Sequence, residues 1–160
     1  MTLRERSVVK AEQDGTDAVV LTLSCIPSPT GIADAQPRIR TFLEAHAVPE
    51  RVIARADVLF EEIVMNISMH GFDDPDGEIV NITVQRRKDA IEIVFEDHGR
   101  AFDPVAAEPR ASDETFDEDR PGGLGLVLLQ RMASSVSYAR LPAGINQLRV
   151  TMNTDDPGRP

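Results

Sequence analysis

Three polar residues spaced four positions apart are the first candidates for chemistry in this sequence. Glu62, Asn66 and His70 lie in a segment whose apolar residues repeat at helical spacing, and residues four apart share one face of a helix. A carboxylate, an amide and an imidazole in one row can offer a base for a hydroxyl group together with an oxygen ligand for a metal. The same spacing also fits an ordinary solvated helix face. Asn66 favours the functional interpretation, because asparagine is a poor helix former and stands here among apolar neighbours.

A second candidate is the segment Asp97-His98-Gly99, which directly follows the alternating stretch Ala90–Glu96. A carboxylate at the end of a strand can accept a hydrogen bond from an exocyclic amine such as that of adenine. The glycine two residues later would allow a ring to approach the backbone. An Asp-x-Gly turn that binds no ligand is the alternative, and this motif alone does not exclude it.

Glycines at the start of a helix are the third candidate. The segment Gly122-Gly123-Leu124-Gly125-Leu126 directly precedes an apolar helical pattern. Glycines at a helix start leave backbone N–H groups free to bind phosphate, helped by the helix dipole. The segment is not a Walker loop, because no Gly-Lys-Ser/Thr follows, and it does not match the dinucleotide fingerprint that follows a strand. Close packing of the helix is the structural alternative.

The first half of the chain is predicted to form a strand followed by two helices. The β-branched segment Ala18–Ser24 indicates a strand. Ile32–Ala47 carries apolar residues at near-helical spacing, with Pro37 as a residue that would kink or shorten the helix. Pro49 stands where a second helix would begin, and a strong apolar stripe then continues to His70-Gly71.

The second half is predicted to consist mainly of strands. Ile79–Gln85 and Ala90–Glu96 alternate between apolar and polar residues and are joined by a polar turn, which indicates a hairpin. Gly99–Gly122 has no periodicity and is rich in Asp, Glu and Pro, and loops of this kind are usually lids or binding loops. A helix at Gly123–Ala133 and two closing strands, Ser135–Ala139 and Gln147–Met152, complete an α+β fold with helices on one face of a mainly antiparallel sheet.

Composition limits the classes of function. A chain of 160 residues, of which 41% are hydrophobic, supports one domain with a core. The formal net charge of -10 disfavours nucleic acid and anionic membrane surfaces as partners. The sequence contains no apolar run near the roughly 20 residues that span a bilayer and no secretory signal at its start. One cysteine cannot form an internal disulfide, and the three histidines give no metal cluster by spacing. We therefore expect a soluble, cytoplasmic single domain.

In order and spacing, the three motifs resemble those of the GHKL ATPase superfamily. Within it, the chain is most similar to the anti-sigma-factor serine/threonine protein kinases of bacterial partner-switching systems. The likeness runs from about Asp57 to Met152. It rests on the helix motif from Glu62 to Phe72, on the glycine box DHGRAFDP that begins at Asp97, and on a second box, RPGGLGL, that begins at Arg120.

That resemblance implies the Bergerat ATP-binding fold, a two-layer α/β sandwich with helices on one face of a mainly antiparallel mixed sheet. A single histidine-kinase-like ATPase domain would cover residues 1–160, with a core at about 18–152, flexible ends and an ATP lid at about 100–122. Its cofactors would be ATP and Mg²⁺.

The same resemblance implies roles for individual residues. Asn66 would coordinate the Mg²⁺ that bridges the phosphates, and Glu62 would be the general base that takes the proton from an acceptor serine. Asp97 would bind the adenine amine, and Arg120 would act at the γ-phosphate or at the partner contact. His70 would hold the end of the helix rather than take part in the chemistry. The other nucleotide-binding positions would be Gly99 and Phe102 and the second glycine box, Gly122, Gly123, Leu124, Gly125 and Leu126.

The implied function is that of an ATP-dependent serine protein kinase that acts as an anti-sigma factor or switch protein. Its substrate would be a serine of an anti-sigma-factor antagonist, and it would also sequester a regulatory partner, for which a sigma factor is a candidate. A homodimer is expected, because members of the family commonly dimerise. The alternative is a nucleotide-gated binding module that holds its partner without phosphorylating it. Glu62 beside Asn66 favours the kinase, since a pure binder has no need for a base there.

Overall fold

The computed structural model describes residues 18–104 and 129–155, which form a five-stranded sheet with two long helices packed against one face. In chain order the elements are β1 (Val19–Cys25), α1 (Pro29–Ala45), α2 (Glu50–Asn66), a π-helical turn (Ile67–Gly71), β2 (Val80–Arg86), β3 (Ala90–Asp97), β4 (Ser135–Leu141), a short 3₁₀ turn (Pro142–Gly144) and β5 (Ile145–Asn153). The strand order is β1-β2-β3-β5-β4, and each neighbouring pair is antiparallel. The predicted α+β sandwich is confirmed.

Alternation along the strands separates the two faces of the sheet. In β3, Ile91 and Phe95 are almost fully buried in the cluster that the strands share with the helices. Glu92 lies on the opposite face, where its carboxylate pairs with Arg149 of β5 at 3.2 Å. One face of the sheet is therefore the core of the domain, and the other carries charged and polar side chains.

The first helix begins at a tight turn out of β1. The side chain of Ser28 accepts a hydrogen bond from the backbone N–H of Gly31 (3.1 Å) and so caps α1. A Cβ atom at residue 31 would lie 2.0 Å from the carbonyl oxygen of Ile26, so this turn requires glycine. Pro37 lies inside α1, which nevertheless continues as one helix of 17 residues.

A cluster of charges joins α1 to α2. Arg40 of α1 makes ion pairs with Glu44, Glu50 and Asp57, and its Nη1 lies 2.6 Å from Oδ2 of Asp57. Its hydrogen bonds to Glu50 and to Asp57 raise the pKa of Arg40 above its ordinary value. Burial raises the pKa of Asp57, because its effect outweighs the hydrogen bond and the positive charge of Arg40, which lower it. One guanidinium thus connects carboxylates of both helices.

The predicted elements agree with the structure to within a few residues wherever they fall in the described part of the chain. The two long helices, the β2–β3 hairpin and the two closing strands are present. The apolar stripe ends at Gly71 as predicted, but its last five residues form a π-helical turn. Most of the predicted loop Gly99–Gly122 and of the predicted helix Gly123–Ala133 lies outside the described residues, although 129–132 are helical. The extents given for the domain and for its lid stay predictions.

Neither of the two long helices could span a membrane. Within residues 18–104 and 129–155, every helix is too short or too polar to cross a bilayer.

We expect Cys25 to react slowly with thiol reagents in the folded protein. Its side chain is 1% exposed, and burial, together with the negative charge of Asp34, raises the pKa of its thiol to about 11. Because the thiolate is the reactive form, iodoacetamide at pH 8 should label the folded chain at least about tenfold more slowly than the urea-unfolded chain. Intact mass spectrometry measures both rates, and equal rates would contradict the buried position.

The raised pKa of the Cys25 thiol predicts that the free energy of unfolding depends on pH. The pKa is higher in the folded chain than its ordinary value of 9.0, so the protonated thiol is favoured by folding. Its contribution to the free energy of unfolding is complete below pH 9 and is lost as the pH rises through about 11. Urea unfolding of the native chain and of Cys25→Ala between pH 7 and 11 should show a difference in stability that shrinks at the alkaline end. A constant difference would contradict this expectation.

Candidate functional site

A cleft opens where the end of α2 meets the end of β3. Its volume is about 600 Å³, including space open to solvent. Most of its lining is apolar. The helix side contributes Ile63, Asn66, Ile67, His70 and Gly71, the sheet contributes Asp97, Tyr138, Asn146 and Leu148, and the loop after β3 contributes Arg100, Phe102 and Pro104. The cleft therefore brings together residues from the first and the second predicted motif.

The helical segment widens directly after Asn66. In the π-helical turn Ile67–Gly71, backbone hydrogen bonds span five residues instead of four, so the turn holds one additional residue. Turns of this kind are frequent at functional sites. Asn66 lies at the end of the α-helical part, His70 lies in the wider turn and is exposed, and both line the cleft.

Glu62 lies one α-helical turn before Asn66 and is half-buried. It is not among the residues that line the cleft. In the part of the chain that the structure describes, neither the carboxylate of Glu62 nor the side-chain amide of Asn66 has a hydrogen-bond or ion-pair partner. Both groups are therefore available to a bound ligand or to an incoming substrate.

Asp97, the last residue of β3, is a buried carboxylate, and one of its two oxygens accepts hydrogen bonds from the protein. The residue is 5% exposed. Its Oδ1 accepts hydrogen bonds from the backbone N–H of Gly99 (2.8 Å) and from Nδ2 of Asn146 (2.9 Å). The other oxygen, Oδ2, takes part in neither bond. Every buried side-chain oxygen of the described residues has a partner, so Oδ2 must be accessible to solvent. Because Asp97 lines the cleft, this second oxygen can accept a hydrogen bond from a bound group.

Gly99 is buried beside the cleft and is not among its lining residues. A Cβ atom at this position would lie 2.6 Å from the carbonyl oxygen of Gly71 and 2.8 Å from Oδ1 of Asp97, closer than such atoms approach. The same carbonyl of Gly71 accepts a hydrogen bond from the backbone N–H of Arg100 (2.8 Å). The glycine thus allows the end of the helical segment to dock on the loop that follows Asp97.

Asn146 of β5 is a site residue that the sequence analysis missed. It is 6% exposed, and its Nδ2 donates to Oδ1 of Asp97 and to the carbonyl of Arg100 (2.9 Å). Its Oδ1 accepts from Oη of Tyr138 (2.7 Å) and from Nη1 of Arg140 (2.6 Å). The sequence carried a signal for it, since Asn146 occupies an inward position of a strand whose next inward residues are apolar, namely Leu148, Val150 and Met152.

The loop after β3 forms the outer wall of the cleft. Phe102 lines it and is 47% exposed, so its ring offers an apolar surface at the rim. Arg100 also lines the cleft and pairs with Asp73. The remaining predicted positions lie outside the described residues, and their roles stay predictions: Arg120, Gly122, Gly123, Leu124, Gly125 and Leu126.

The chemistry of the cleft suits a flat heterocycle that carries an amino group. Apolar walls can cover the ring, and Oδ2 of Asp97 can accept from the amine. Among the described residues, no group of three or more His, Cys, Asp or Glu side chains is placed to hold a metal on its own. Mg²⁺ needs only one or two protein oxygens when phosphates and water supply the others, and Asn66 fits that requirement.

A family model described as the histidine kinase-like ATPase domain matches residues 27–152 of this chain. The matched region begins just after β1 and ends within β5. It includes Asn66, Asp97 and Asn146, three of the polar residues that line the cleft, each from a different element.

Curated relatives are serine kinases by name. The chain is 28% identical over 94 residues to the serine/threonine-protein kinase BtrW of Bordetella bronchiseptica, which covers 59% of this chain and 66% of the relative. It is 32% identical over 95 residues to the serine-protein kinase RsbW of Staphylococcus aureus, and this alignment covers 56% of this chain and 60% of the relative. The chain therefore spans less than two thirds of the length of these relatives.

Solved structures share the fold. The SiaB–SiaC complex from Pseudomonas aeruginosa matches with a TM-score of 0.61 at 16% identity, over 82% of this chain and 88% of that chain. The structure of RsbU and RsbW domains from Mycobacterium tuberculosis matches with a TM-score of 0.59 at 14% identity, over 88% of this chain and 33% of that chain. The family match spans both helical and strand layers of the fold and its cleft. On this evidence the chain belongs to the histidine kinase-like ATPase domain family.

Proposed function

We propose that this chain is an ATP-dependent serine protein kinase that phosphorylates a small antagonist protein in a partner-switching system. The observation that carries the proposal is the unpartnered carboxylate of Glu62, one helical turn before Asn66, beside a cleft in which Asp97 keeps one oxygen accessible. A module that only binds nucleotide has no use for a base at that position. The names of the curated relatives support the proposal, because they describe serine kinases.

The nucleotide is held by residues from both layers. The amino group of adenine donates to Oδ2 of Asp97, and the apolar residues of the cleft contact the ring. Asn66 would hold Mg²⁺ together with the phosphates, and the ion would neutralise part of the charge of the phosphates. Arg120 and the backbone of the second glycine box, Gly122, Gly123, Leu124, Gly125 and Leu126, contact the phosphates.

In the chemical step, the hydroxyl oxygen of the acceptor serine attacks the γ-phosphorus of ATP. A new P–O bond forms, and the bond from the γ-phosphorus to the oxygen shared with the β-phosphate breaks, so that ADP leaves with the electron pair. The carboxylate of Glu62 takes the hydroxyl proton. Its position outside the lining of the cleft suits a hydroxyl that another protein presents.

The partners in this proposal are proteins. A solved neighbour of this fold is the SiaB–SiaC complex, and this supports a protein partner for the present chain. We take an anti-sigma-factor antagonist as the phosphate acceptor, a sigma factor as a candidate second partner, and a homodimer as the expected assembly.

Replacing Glu62 by Gln should abolish phosphoryl transfer and leave ATP binding intact. Loss of a general base lowers the rate by roughly 10²- to 10⁴-fold, whereas the amide side chain keeps the size and polarity of the original. Intact mass spectrometry of each antagonist-like protein from the source genome, incubated with Mg-ATP and the kinase, measures transfer. Isothermal titration calorimetry measures ATP binding.

The matched control is Glu61→Gln, which removes the same charge from an exposed position next to Glu62 in the same helix and should transfer phosphate at the native rate. If Glu62→Gln loses ATP binding together with transfer, the role assigned to Glu62 is wrong. If the native chain forms a stable complex with an antagonist and never phosphorylates it, the chain is a nucleotide-gated binding module.

Replacing Asp97 by Asn tests the adenine contact. Asparagine can keep an oxygen for Gly99 and Asn146, but it places an NH₂ group where Oδ2 meets the adenine amine. We expect the affinity for ATP to fall by roughly 10- to 100-fold, the size of a hydrogen bond to a charged group. Calorimetric titration checks this, with Asp89→Asn in the exposed β2–β3 turn as control. Equal affinities in all three proteins would exclude Asp97 as the adenine contact.

A further inference from the structure

A chain of hydrogen bonds connects the surface of β4 to the buried carboxylate of Asp97. Arg140 is exposed and does not line the cleft. Its Nη1 donates to Oδ1 of Asn146 (2.6 Å) and to the carbonyl oxygen of Gly99 (2.8 Å). The Nδ2 of Asn146 in turn donates to Oδ1 of Asp97 (2.9 Å). A single amide therefore links an exposed cation to the carboxylate at the base of the cleft.

The chemistry of the three groups determines which way the amide of Asn146 points. A guanidinium can only donate hydrogen bonds and a carboxylate can only accept them. The amide oxygen must therefore face Arg140, and the amide nitrogen must face Asp97. The reverse orientation would place oxygen against oxygen and N–H against N–H. Tyr138 does not fix the orientation, because its hydroxyl can donate or accept.

We propose that Arg140 is a positioning residue that gives the cleft its preference for a purine with a 6-amino group. By orienting the amide of Asn146, Arg140 keeps Oδ1 of Asp97 occupied and leaves Oδ2 as the oxygen offered to the ligand. Without Arg140 the amide oxygen keeps only the hydroxyl of Tyr138 as a donor, so Asn146 is held less firmly against Asp97 and the carboxylate is freer to rotate. The inference rests on the proposed ATP site and adds a residue that determines its specificity.

The second hydrogen bond of Arg140 also helps to hold Asp97 in place. Its acceptor, the carbonyl of Gly99, belongs to the loop directly after Asp97. On its other side this loop is held by the carbonyl of Gly71, which accepts from Arg100. Arg140 therefore holds both the partner of the carboxylate and the backbone that carries it.

The test compares ATP with purine riboside triphosphate, which lacks only the 6-amino group. The ratio of the two dissociation constants reports the contribution of that group alone. We expect a ratio of roughly tenfold or more for the native chain, since the amine bonds to a charged acceptor. The ratio should fall toward one in Arg140→Met and take an intermediate value in Arg140→Lys, which keeps a single donor group.

The matched control is Arg149→Met, which removes the same group from the outer face of β5, where Arg149 bonds to Gln147 and Glu92. It should keep the native ratio. A double variant tests the route: in an Asn146→Ala background, Arg140→Met should lower the ratio less than it does in the native chain, because no amide remains to be oriented and only the bond to the carbonyl of Gly99 is lost.

Two results would overturn the inference and leave the proposed function standing. In one, Arg140→Met binds both nucleotides more weakly by the same factor, which indicates a structural role alone. In the other, Arg140→Met binds both nucleotides as the native chain does. If Arg140→Met does not fold, as judged by circular dichroism, the ratio in Arg140→Lys decides between these results. A native chain that binds no ATP, or that has a ratio of one, would overturn the adenine site and this inference with it.

Discussion

The carbonyl of Gly71 accepts a hydrogen bond from the backbone of Arg100 and lies 2.6 Å from the place where a Cβ atom at residue 99 would be. The helical layer and the sheet can approach this closely at one end of the domain only because residue 99 has no side chain. That approach sets Asn66, at the end of α2, and Asp97, at the end of β3, on the walls of one cleft. Each element would still form without it, since the hydrophobic cluster holds both layers together, but the two polar groups would no longer line the same cleft.

A buried carboxylate at such a point costs free energy unless its hydrogen bonds are satisfied. Here the cost is offset by a network in which each donor meets an acceptor: Gly99 and Asn146 donate to Asp97, and Tyr138 and Arg140 donate to Asn146. Among the described residues no buried side-chain oxygen or nitrogen is left without a partner. A fully satisfied network of this kind holds its members in one arrangement, which suits a site that must present one particular oxygen.

The sequence predicted those features that arise from local periodicity. Burial of one face imposes a period of 3.6 on α2 and of two on β3, so both elements could be recognised from their apolar residues. Asp97 was also recognisable, because its carboxylate and Gly99 are neighbours in the chain. The hydrogen bonds of Asn146 to Asp97 and of Arg140 to Gly99 were not recognisable, since these partners lie 49 and 41 residues apart and no short pattern indicates such pairs. Only the inward position of Asn146 could be recognised, from the apolar alternation of β5. The π-helical turn was missed for a related reason: its residues have the same apolar and polar pattern as an α-helix, and the docking of Gly71 on another element distinguishes the two.

That turn has a consequence for how the length of the chain can vary. A π-helical turn contains one residue more than the α-helical turn it replaces, so a deletion anywhere within Ile67–Gly71 would leave a helix that is still regular. Each residue of an α-helix rotates by about 100° relative to the one before it, and the deletion would therefore turn the final carbonyl away from the loop after β3. A segment that looks tolerant of deletion in a sequence alignment thus has its residue count fixed by its contact with residues 99 and 100, in the loop after β3.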